Sequence, residues 1–389
     1  MEILASLLML MSLLLLTGYT FVHYLFHRGL FRLSLRVNEN AVSGATANPF
    51  VSVIIAARNE EKNIGDCLTG VLSQNYPADR LEVIVADDRS TDSTASIIKE
   101  FAEKNVAVKL VTISECPTGF SPKKHAVSCA VKMAVGEIIL FTDADSKVPP
   151  TWISSVASTF KDEETVFASG LTSFYCPNDL ALPFFKIQLA DFLSHGVVSA
   201  AAITGGIPLN TNANNLAVRK RAFEDVGGYA GVAGVISGDD DLLLQRLTAA
   251  GGKAVFVAGR DSTVTTAPAF SLREWWEQRK RWGSKTVYYN RSAVILLSIV
   301  FAYYSFILIC GIGALFVESL RAAAAMLFIH KTLLDALLFF RGKRLLGADV
   351  GMVWFWFLAP IHIPVVVLAV LFGVFGKFTW KDGPVKRKI

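Results

Sequence analysis

The chain has 389 residues, a net charge of +5, a hydrophobic fraction of 52% and a mean hydropathy of +0.44. This hydropathy excludes a fully soluble protein, and the length suits one large catalytic domain with an additional module. The basic residues crowd the segments beside the apolar runs, so contact with anionic lipid is favoured and no nucleic-acid partner is expected. Five cysteines without CxxC spacing indicate free thiols in a reducing compartment.

Apolar segments long enough to cross a bilayer lie at both ends of the chain. Residues 3–22 carry no charge, and the basic residues that follow place the next domain in the cytoplasm by the positive-inside tendency. Residues 293–317 and 352–376 are also long enough to span. Residues 322–340 contain Lys331 and Asp335, so a span and an interfacial helix are equally good interpretations. We expect an integral protein of the cell inner membrane with a cytoplasmic catalytic domain.

Between residues 49 and 268, short β-rich runs alternate with helical stretches. This pattern is typical of an α/β domain in which helices cover both faces of a mostly parallel sheet. The predicted strands are residues 51–57, 81–86, 108–113 and 137–142, and the predicted helices are residues 61–72, 93–104 and 123–134. Residues 181–202 are predicted to form a helix packed on this domain or on the membrane. Residues 204–229 are predicted to form a polar loop that becomes helical at 220–226.

Polar clusters follow three of the predicted strands. Arg58, Asn59 and Glu60 follow the first strand, and Asp87 and Asp88 follow the second. Ligands of open α/β sheets bind beyond the carboxyl ends of the strands, so these clusters predict a nucleotide pocket. The chain has no GxGxxG or P-loop lysine signature, which argues against a dinucleotide enzyme or an ordinary NTPase.

The third cluster, in the sequence FTDAD, holds Asp143 and Asp145. Carboxylates on alternate residues of a strand point to opposite faces, so the strand must break at Ala144 for these two to converge. Two convergent carboxylates suit a hard divalent cation that also holds phosphate oxygens. The alternative is an ordinary acidic turn, and the surrounding residues decide between them.

Two further charged clusters have both a structural and a functional interpretation. Lys123 and Lys124 stand at a predicted helix amino end, where they oppose the helix dipole unless an anion such as diphosphate is bound. The alternative is a solvated basic turn. In GDDDLLLQRL, residues 238–247, the aspartates either cap a helix or present one rigidly held carboxylate as a general base.

Residues 272–289 combine aromatic and basic side chains just before an apolar span. This composition is typical of an interfacial anchor. Gln278, Arg281 and Trp282 remain available for a second role.

These motifs, in this order, resemble those of the family 2 glycosyltransferases. The matching segments are VSVIIAARNEE, VADDRSTDST, PKKHA, FTDADS, GDDDLLLQRL and QRKRW, which lie within residues 50–285. Membrane-associated members include the synthases of cellulose, hyaluronan and poly-N-acetylglucosamine and the ceramide glucosyltransferases. The resemblance implies a GT-A-like fold with transmembrane helices at both ends.

The resemblance also implies a role for each matching residue. It assigns donor binding to Arg58, Glu60, Asp87, Asp88, Lys123 and Asp143. It assigns Mg²⁺ or Mn²⁺ binding to Asp145 together with Asp143. It assigns the catalytic base to Asp240, with Asp239 in place of the usual Glu; the assignment among the three aspartates stays open, although the spacing to Leu243 and Arg246 favours Asp240. It assigns the diphosphate and acceptor region to Gln278, Arg281 and Trp282.

The implied activity is inverting transfer of a sugar from a nucleotide-sugar, with a UDP-sugar as first choice, to a lipid or glycan acceptor. The implied organisation is a transmembrane helix with a basic flank at 1–36, a catalytic domain at 49–268, an interfacial segment at 269–290, and two or three spans within 291–389. A small processive polysaccharide synthase is the nearest alternative. A nucleotidyltransferase and an inactive membrane scaffold are the others.

Overall fold

A seven-stranded sheet forms the centre of the computed structural model, which describes residues 2–40, 48–177, 180–380 and 383–385. Its strands are β1 (Val51–Ala57), β2 (Leu81–Asp88), β3 (Val108–Ile113), β4 (Ile138–Asp143), β5 (Thr165–Gly170), β7 (Leu216–Arg219) and β8 (Lys253–Val257). The strand order is β3-β2-β1-β4-β7-β5-β8. β7 runs antiparallel to both of its neighbours, and the other pairings are parallel. The sheet is therefore mostly parallel, as predicted.

Two small sheets lie outside the central one. β6 (Thr172–Phe174) pairs in parallel with β9 (Val264–Thr266), and β10 (Phe378–Trp380) pairs with β11 (Gly383–Val385) in an antiparallel hairpin. The first pair brings the chain after β5 and the chain after β8 together beside the carboxyl end of β4, through a bridge between Lys147 and Thr265.

Helices connect these strands and extend beyond them. Those of the α/β domain are α2 (Ile64–Leu72), α3 (Thr94–Lys104), α4 (Pro122–Met133), α5 (Trp152–Ala157), α7 (Lys220–Asp225), α8 (Asp241–Ala249) and α9 (Leu272–Ser284). The five long helices are α1 (Glu2–Asn40), α6 (Leu182–Gly205), α10 (Arg291–Gly313), α11 (Leu320–Leu346) and α12 (Met352–Phe375). Each of these five contains a stretch long and apolar enough to cross a membrane.

Strand alternation sends neighbouring side chains into two different cores. Val53 and Val83 join the core formed with α2, α3 and α5. Ile54 and Ile84 join a second core, which also contains buried side chains of α1, α6, α11 and α12. The α/β domain and the long apolar helices therefore share one hydrophobic core on this face of the sheet.

Close helix packing depends on small residues at three crossings. A Cβ on Gly29 of α1 would lie 1.9 Å from the Ala201 carbonyl oxygen of α6, and one on Gly342 of α11 would lie 2.3 Å from Val197 of α6. A Cβ on Gly283 of α9 would lie 2.8 Å from the carbonyl oxygen of Ala369 of α12. At each crossing only hydrogen on the glycine permits the observed approach.

The structure corrects several sequence predictions. The stretch 204–219 was predicted as loop, but Leu216–Arg219 forms β7, because a short apolar run there completes the ladder between β4 and β5. The helix predicted from residue 61 begins at Ile64, and α1 continues beyond the expected apolar segment to Asn40. α6 packs on β6 and β8, which confirms the expected packing on the α/β domain, and it also packs on the long apolar helices α1, α11 and α12. Residues 322–340 lie within one 27-residue helix of spanning length. The basic residues 386–388 lie outside the described residues.

Candidate active site

A cavity of about 380 Å³ opens at the carboxyl ends of β1, β2 and β4. Its wall brings together residues that are far apart in the chain. The predicted site residues that line it are Arg58, Glu60, Asp88, Lys123, Asp143, Asp145, Asp239, Asp240, Gln278, Arg281 and Trp282. Every predicted site residue except Asp87 is therefore at the cavity surface.

The turns after β1 and β2 hold each other in place. Asn59 has φ 54°, in the left-handed region that asparagine tolerates better than most residues. Its side-chain oxygen accepts a hydrogen bond from the Thr91 backbone N at 2.8 Å, and the Glu60 backbone N donates to Thr94 Oγ1 at 2.8 Å. These contacts aim Arg58 at Asp88, with 3.7 Å between Arg58 Nη1 and Asp88 Oδ2.

Asp87, near the carboxyl end of β2, does not line the cavity. It is 3% exposed, and its Oδ1 has no hydrogen-bond partner within the described part of the chain. A buried acceptor without a partner is costly, so this oxygen favours a donor group from a ligand.

The FTDAD segment turns where the sequence predicts. β4 ends at Asp143, and the Ser146 backbone N donates to the Asp143 carbonyl at 3.1 Å, closing a turn over Ala144 and Asp145. Thr266 Oγ1 of β9 donates to Asp145 Oδ2 at 3.1 Å. Burial, followed by the charges of Asp143 and Glu60, raises the pKa of Asp145 to about 6.

The residues around Asp145 fit a divalent cation that is shared with a substrate. The raised pKa reflects crowded negative charge in a buried place, which a cation would relieve. Among the described residues, no group of three or more His, Cys, Asp or Glu side chains is arranged to hold a metal ion alone. Mg²⁺ and similar ions commonly use one or two carboxylates together with phosphate oxygens and water, so Asp143 and Asp145 suffice.

Lys123 links the two acidic clusters. Its Nζ lies 2.7 Å from Asp143 Oδ1 and 3.0 Å from Asp239 Oδ2. Burial lowers the pKa of Lys123, but the two carboxylates outweigh burial and leave it raised. Burial acts to raise the pKa of Asp239, but Lys123 outweighs burial and lowers that pKa to about 2.

The three consecutive aspartates have three different environments. Asp239 binds Lys123, as described above. Asp241 is fully buried and accepts hydrogen bonds from the Thr211 backbone N at 2.8 Å and from the Tyr289 hydroxyl. Asp240 is the N-cap of α8, where its Oδ1 accepts from the Asp241 backbone N at 2.8 Å, and its side chain lines the cavity.

Lys285 neutralises this acidic group from the far side. Its Nζ lies 3.3 Å from Asp240 Oδ1 and 2.5 Å from Asp241 Oδ2, and its side chain is about 10% exposed. Burial acts to lower the pKa of Lys285, but the two carboxylates outweigh burial and raise it. Lys285 therefore remains a cation beside Asp240.

A second buried lysine supports the loop that precedes the aspartates. Lys124 is 0% exposed, and its Nζ donates to the carbonyl oxygens of Val232 at 3.0 Å, Val235 at 2.5 Å and Ser237 at 3.2 Å. Burial lowers its pKa to about 8. Its position beside Lys123 thus has a structural cause, since it holds the loop that delivers Asp239 and Asp240.

α9 presents the QRKRW motif between the cavity and α12. Arg279 forms a buried ion pair with Asp191 of α6, and its guanidinium carbon lies 4.2 Å from the centre of the Trp282 ring. Trp282 also stacks on Phe192, with ring centres 5.9 Å apart. Arg281 instead lines the cavity, where burial lowers its pKa and the carboxylates of Asp239 and Asp240 act against burial.

Sequence reasoning missed Lys285, Thr266 and the anchoring role of Arg279. Thr266 lies on a three-residue strand, and no local pattern connects it to Asp145. Lys285 and Arg279 lie within the basic aromatic segment, where composition alone suggested lipid contact. Their charge partners are on α8 and α6, so only the helix arrangement reveals them.

Comparison with known proteins identifies the family of the chain. Residues 52–194 match the model of glycosyl transferase family 2, and residues 138–375 match that of glycosyl transferase family group 2. The chain belongs to the family 2 glycosyltransferases.

Several curated members of this family align with the chain. Glycosyltransferase AglE of Haloferax volcanii is 29% identical over 54% of this chain and 64% of its own length. A beta-monoglucosyldiacylglycerol synthase of Nostoc is 29% identical over 60% of this chain and 48% of its own length. The chain thus spans less than two thirds of these relatives.

A solved structure shares the architecture. The mannosyltransferase PcManGT of Pyrobaculum calidifontis, solved with GDP-Man and Mn²⁺, superimposes with a TM-score of 0.54 at 19% identity. The match covers 93% of this chain and 99% of that one. The fold is therefore GT-A-like, with apolar helices at the amino terminus and in the carboxyl-terminal region, as the sequence predicted.

Proposed function

We propose that the protein is a membrane-bound inverting glycosyltransferase that moves a sugar from a nucleotide-sugar to a lipid acceptor, with Asp240 as general base. The first choice of donor is a UDP-sugar. The observation that carries the proposal is the position of Asp240, which lines the 380 Å³ cavity and also the smaller cavity that adjoins the membrane helices. A base at that junction can meet a donor from one side and a lipid hydroxyl from the other.

The donor would bind along the carboxyl ends of β1, β2 and β4. Asp87 and Asp88 would accept hydrogen bonds from the nucleoside, and Arg58 would stand beside them. Asp145, with Asp143, would hold Mg²⁺ or Mn²⁺, which when bound would offset the charge of the diphosphate leaving group. Gln278 and Arg281 would line the diphosphate region, and Arg281 would stabilise its negative charge from the opposite wall.

Asp240 would remove the proton from the acceptor hydroxyl as that oxygen attacks the anomeric carbon. The backbone N of Asp241 and Lys285 both contact Oδ1, which leaves Oδ2 to receive the proton. A single displacement inverts the anomeric configuration, and no second carboxylate acts as nucleophile. Asp239 would stay ionised beside Lys123 and keep that lysine in place.

The lipid acceptor follows from the surroundings of the cavity. The cavity that adjoins Asp240 is lined in part by α6 and α12, two helices of membrane-spanning length. The Nostoc relative is named as a synthase of a glucosylated diacylglycerol. We propose that the helices lie in the cell inner membrane with the catalytic cavity at the cytoplasmic face, where nucleotide-sugars are made available. Membrane lipids would then be both the surroundings and the substrate.

Purified protein in lipid nanodiscs, supplied with nucleotide-sugars and Mg²⁺ or Mn²⁺, tests this function. We expect nucleotide release together with a lipid product heavier by one sugar. Asp240→Asn should lower turnover by about 10²–10⁴-fold, as loss of a general base does, and should keep nucleotide binding. Asp225→Asn, which changes an exposed carboxylate on α7, is the matched control.

Each alternative has its own result in this experiment. A ladder of products longer by many sugars would identify a processive synthase. Pyrophosphate release when a nucleoside triphosphate and a sugar 1-phosphate replace the nucleotide-sugar would identify a nucleotidyltransferase. Folded protein that releases no nucleotide with any donor would contradict the transferase proposal and favour a scaffold.

A further inference from the structure

Two further cavities continue the catalytic cavity towards the membrane helices. The first, of about 180 Å³, lies between α6, α9 and α12 and is called here the junction chamber. The second, of about 220 Å³, lies between α1, α6, α10, α11 and α12 and is called the intramembrane chamber. Both lie outside the region assigned to the donor.

The three cavities adjoin one another in series. Asp240, Trp282 and Lys285 line both the catalytic cavity and the junction chamber. Asn210 and Val366 line both the junction chamber and the intramembrane chamber. A hydrocarbon chain that followed these three cavities would extend from Asp240 into the centre of the helix bundle.

The walls of the intramembrane chamber suit a hydrocarbon chain. Val22, Phe26, Leu296, Phe339 and Leu358 line it, and each is at most 7% exposed. Apolar walls of this kind gain from contact with an apolar ligand and offer little to a polar one.

The charged groups of both chambers are paired within the walls. In the junction chamber, Arg279 pairs with Asp191, and Lys285 pairs with Asp240 and Asp241. Among the described residues that line this chamber, no surplus cation remains for a lipid phosphate.

The charged groups of the intramembrane chamber are also paired with one another. Lys331 Nζ lies 2.9 Å from Asp335 Oδ2, and His23 Nε2 lies 3.1 Å from Asp335 Oδ1. Inserting a phosphate beside this compensated pair would bury an unbalanced negative charge.

We propose that the junction and intramembrane chambers bind one hydrocarbon chain of an uncharged lipid acceptor, of the diacylglycerol class, and thereby present its hydroxyl to Asp240. The inference rests on the proposed function and makes it more specific. It assigns a binding site to the lipid and excludes lipid phosphates as acceptors.

Photolabelling tests the site without turnover. The full-length protein in nanodiscs would be irradiated with a diacylglycerol carrying a diazirine in one acyl chain, in the absence of donor and metal. We expect labelled peptides from α6, α10 and α12 at residues that line the chambers. Unlabelled diacylglycerol should compete, whereas phosphatidic acid with the same chains should compete at least about tenfold more weakly, the factor that corresponds to a modest charge penalty.

Val366→Phe would narrow the boundary between the two chambers. We expect labelling there to fall by about tenfold or more, since overfilling a packed site commonly lowers affinity by that factor. Leu368→Phe, which adds volume on the 40% exposed outer face of the same helix, should keep wild-type labelling. Ala359→Met adds a flexible, unbranched side chain inside the intramembrane chamber and serves if Val366→Phe does not fold.

The outcomes separate this inference from the proposed function. Labelling confined to the outer faces of the helices, or equal competition by phosphatidic acid, would overturn the inference even if the enzyme transfers sugar. Specific labelling of the chambers in a protein that releases no nucleotide would support the lipid site and contradict the proposed reaction.

Discussion

The two ends of the catalytic cavity differ in how their carboxylates are balanced. At the donor end, Asp145 lies beside Asp143 and Glu60, and burial together with these two charges raises the pKa of Asp145 to about 6. At the acceptor end, Asp240 and Asp241 share Lys285, and Asp191 pairs with Arg279. One end therefore favours an incoming cation and its anionic partner, and the other favours an uncharged molecule. In the proposed reaction, charge balance would distinguish the donor from the acceptor.

Among the substitutions that test this comparison, the largest effect is expected from removing the Asp145 carboxylate at the donor end. We expect Asp145→Asn to lower nucleotide release by about 10²–10³-fold, because electrostatic stabilisation of the leaving group is lost. The measurement is turnover across a range of Mn²⁺ concentrations, with Asp225→Asn as the control. Turnover that returns to the wild-type level at high Mn²⁺ would show that other ligands suffice.

A substitution at the acceptor end should instead lower the stability of the protein. Lys285→Met leaves Asp240 and Asp241 buried without their cation, which should lower the free energy of unfolding by about 3–5 kcal/mol. Thermal unfolding in nanodiscs measures this, with Lys104→Met, whose side chain is 78% exposed, as the control. Adding Asp241→Asn should recover part of the loss, since the two residues are in contact. An unchanged unfolding temperature in Lys285→Met would remove the proposed contrast between the ends.

A pH series addresses the donor end directly. Below pH about 6, Asp145 becomes protonated, and a proton then competes with the metal. Below pH about 6, the Mn²⁺ concentration for half-maximal turnover should rise by about tenfold for each unit by which the pH is lowered. Above pH about 7 it should stay constant. Burial also raises the pKa of Asp241 to about 6, so the metal requirement is the informative measurement and the rate alone is not. A metal requirement that does not change between pH 7 and pH 5 would be inconsistent with Asp145 as a ligand.

The smallest expected effect tests the hydrogen bond between Thr266 and Asp145. Thr266→Val removes a contact worth about 1 kcal/mol, so metal affinity should fall only a few-fold. Thr265→Val is the matched control, because neighbouring strand residues point to opposite faces and Thr265 does not line the cavity. Equal effects of the two substitutions would mean that the strand, rather than this hydroxyl, matters.

The turn at Ala144 was predictable because two carboxylates on alternate residues converge only if a strand ends between them. The clusters after β1 and β2 were predictable for a related reason, since parallel strands share one ligand edge. The role of Lys285 was not predictable, because its partners Asp240 and Asp241 lie 45 and 44 residues earlier, at the start of α8. Only the path of α9 brings Lys285 to them. The strand β7 was also missed, since its four residues acquire strand geometry from β4 and β5 rather than from their own pattern.

The close glycine contacts between α9 and α12 fix the position of the catalytic cavity relative to the helix bundle. A Cβ on Gly283 would lie 2.8 Å from the Ala369 carbonyl oxygen, and one on Gly373 would lie 2.3 Å from the Lys280 carbonyl oxygen. Backbones in such close contact have no compressible side chain between them, so Trp282 keeps a constant depth relative to α12. If the acceptor is a lipid, as proposed, its hydroxyl would have to reach a height that the protein fixes. Sugar transfer should consequently depend on bilayer thickness, with thinner membranes placing the glycerol level of their lipids at a different distance from Asp240.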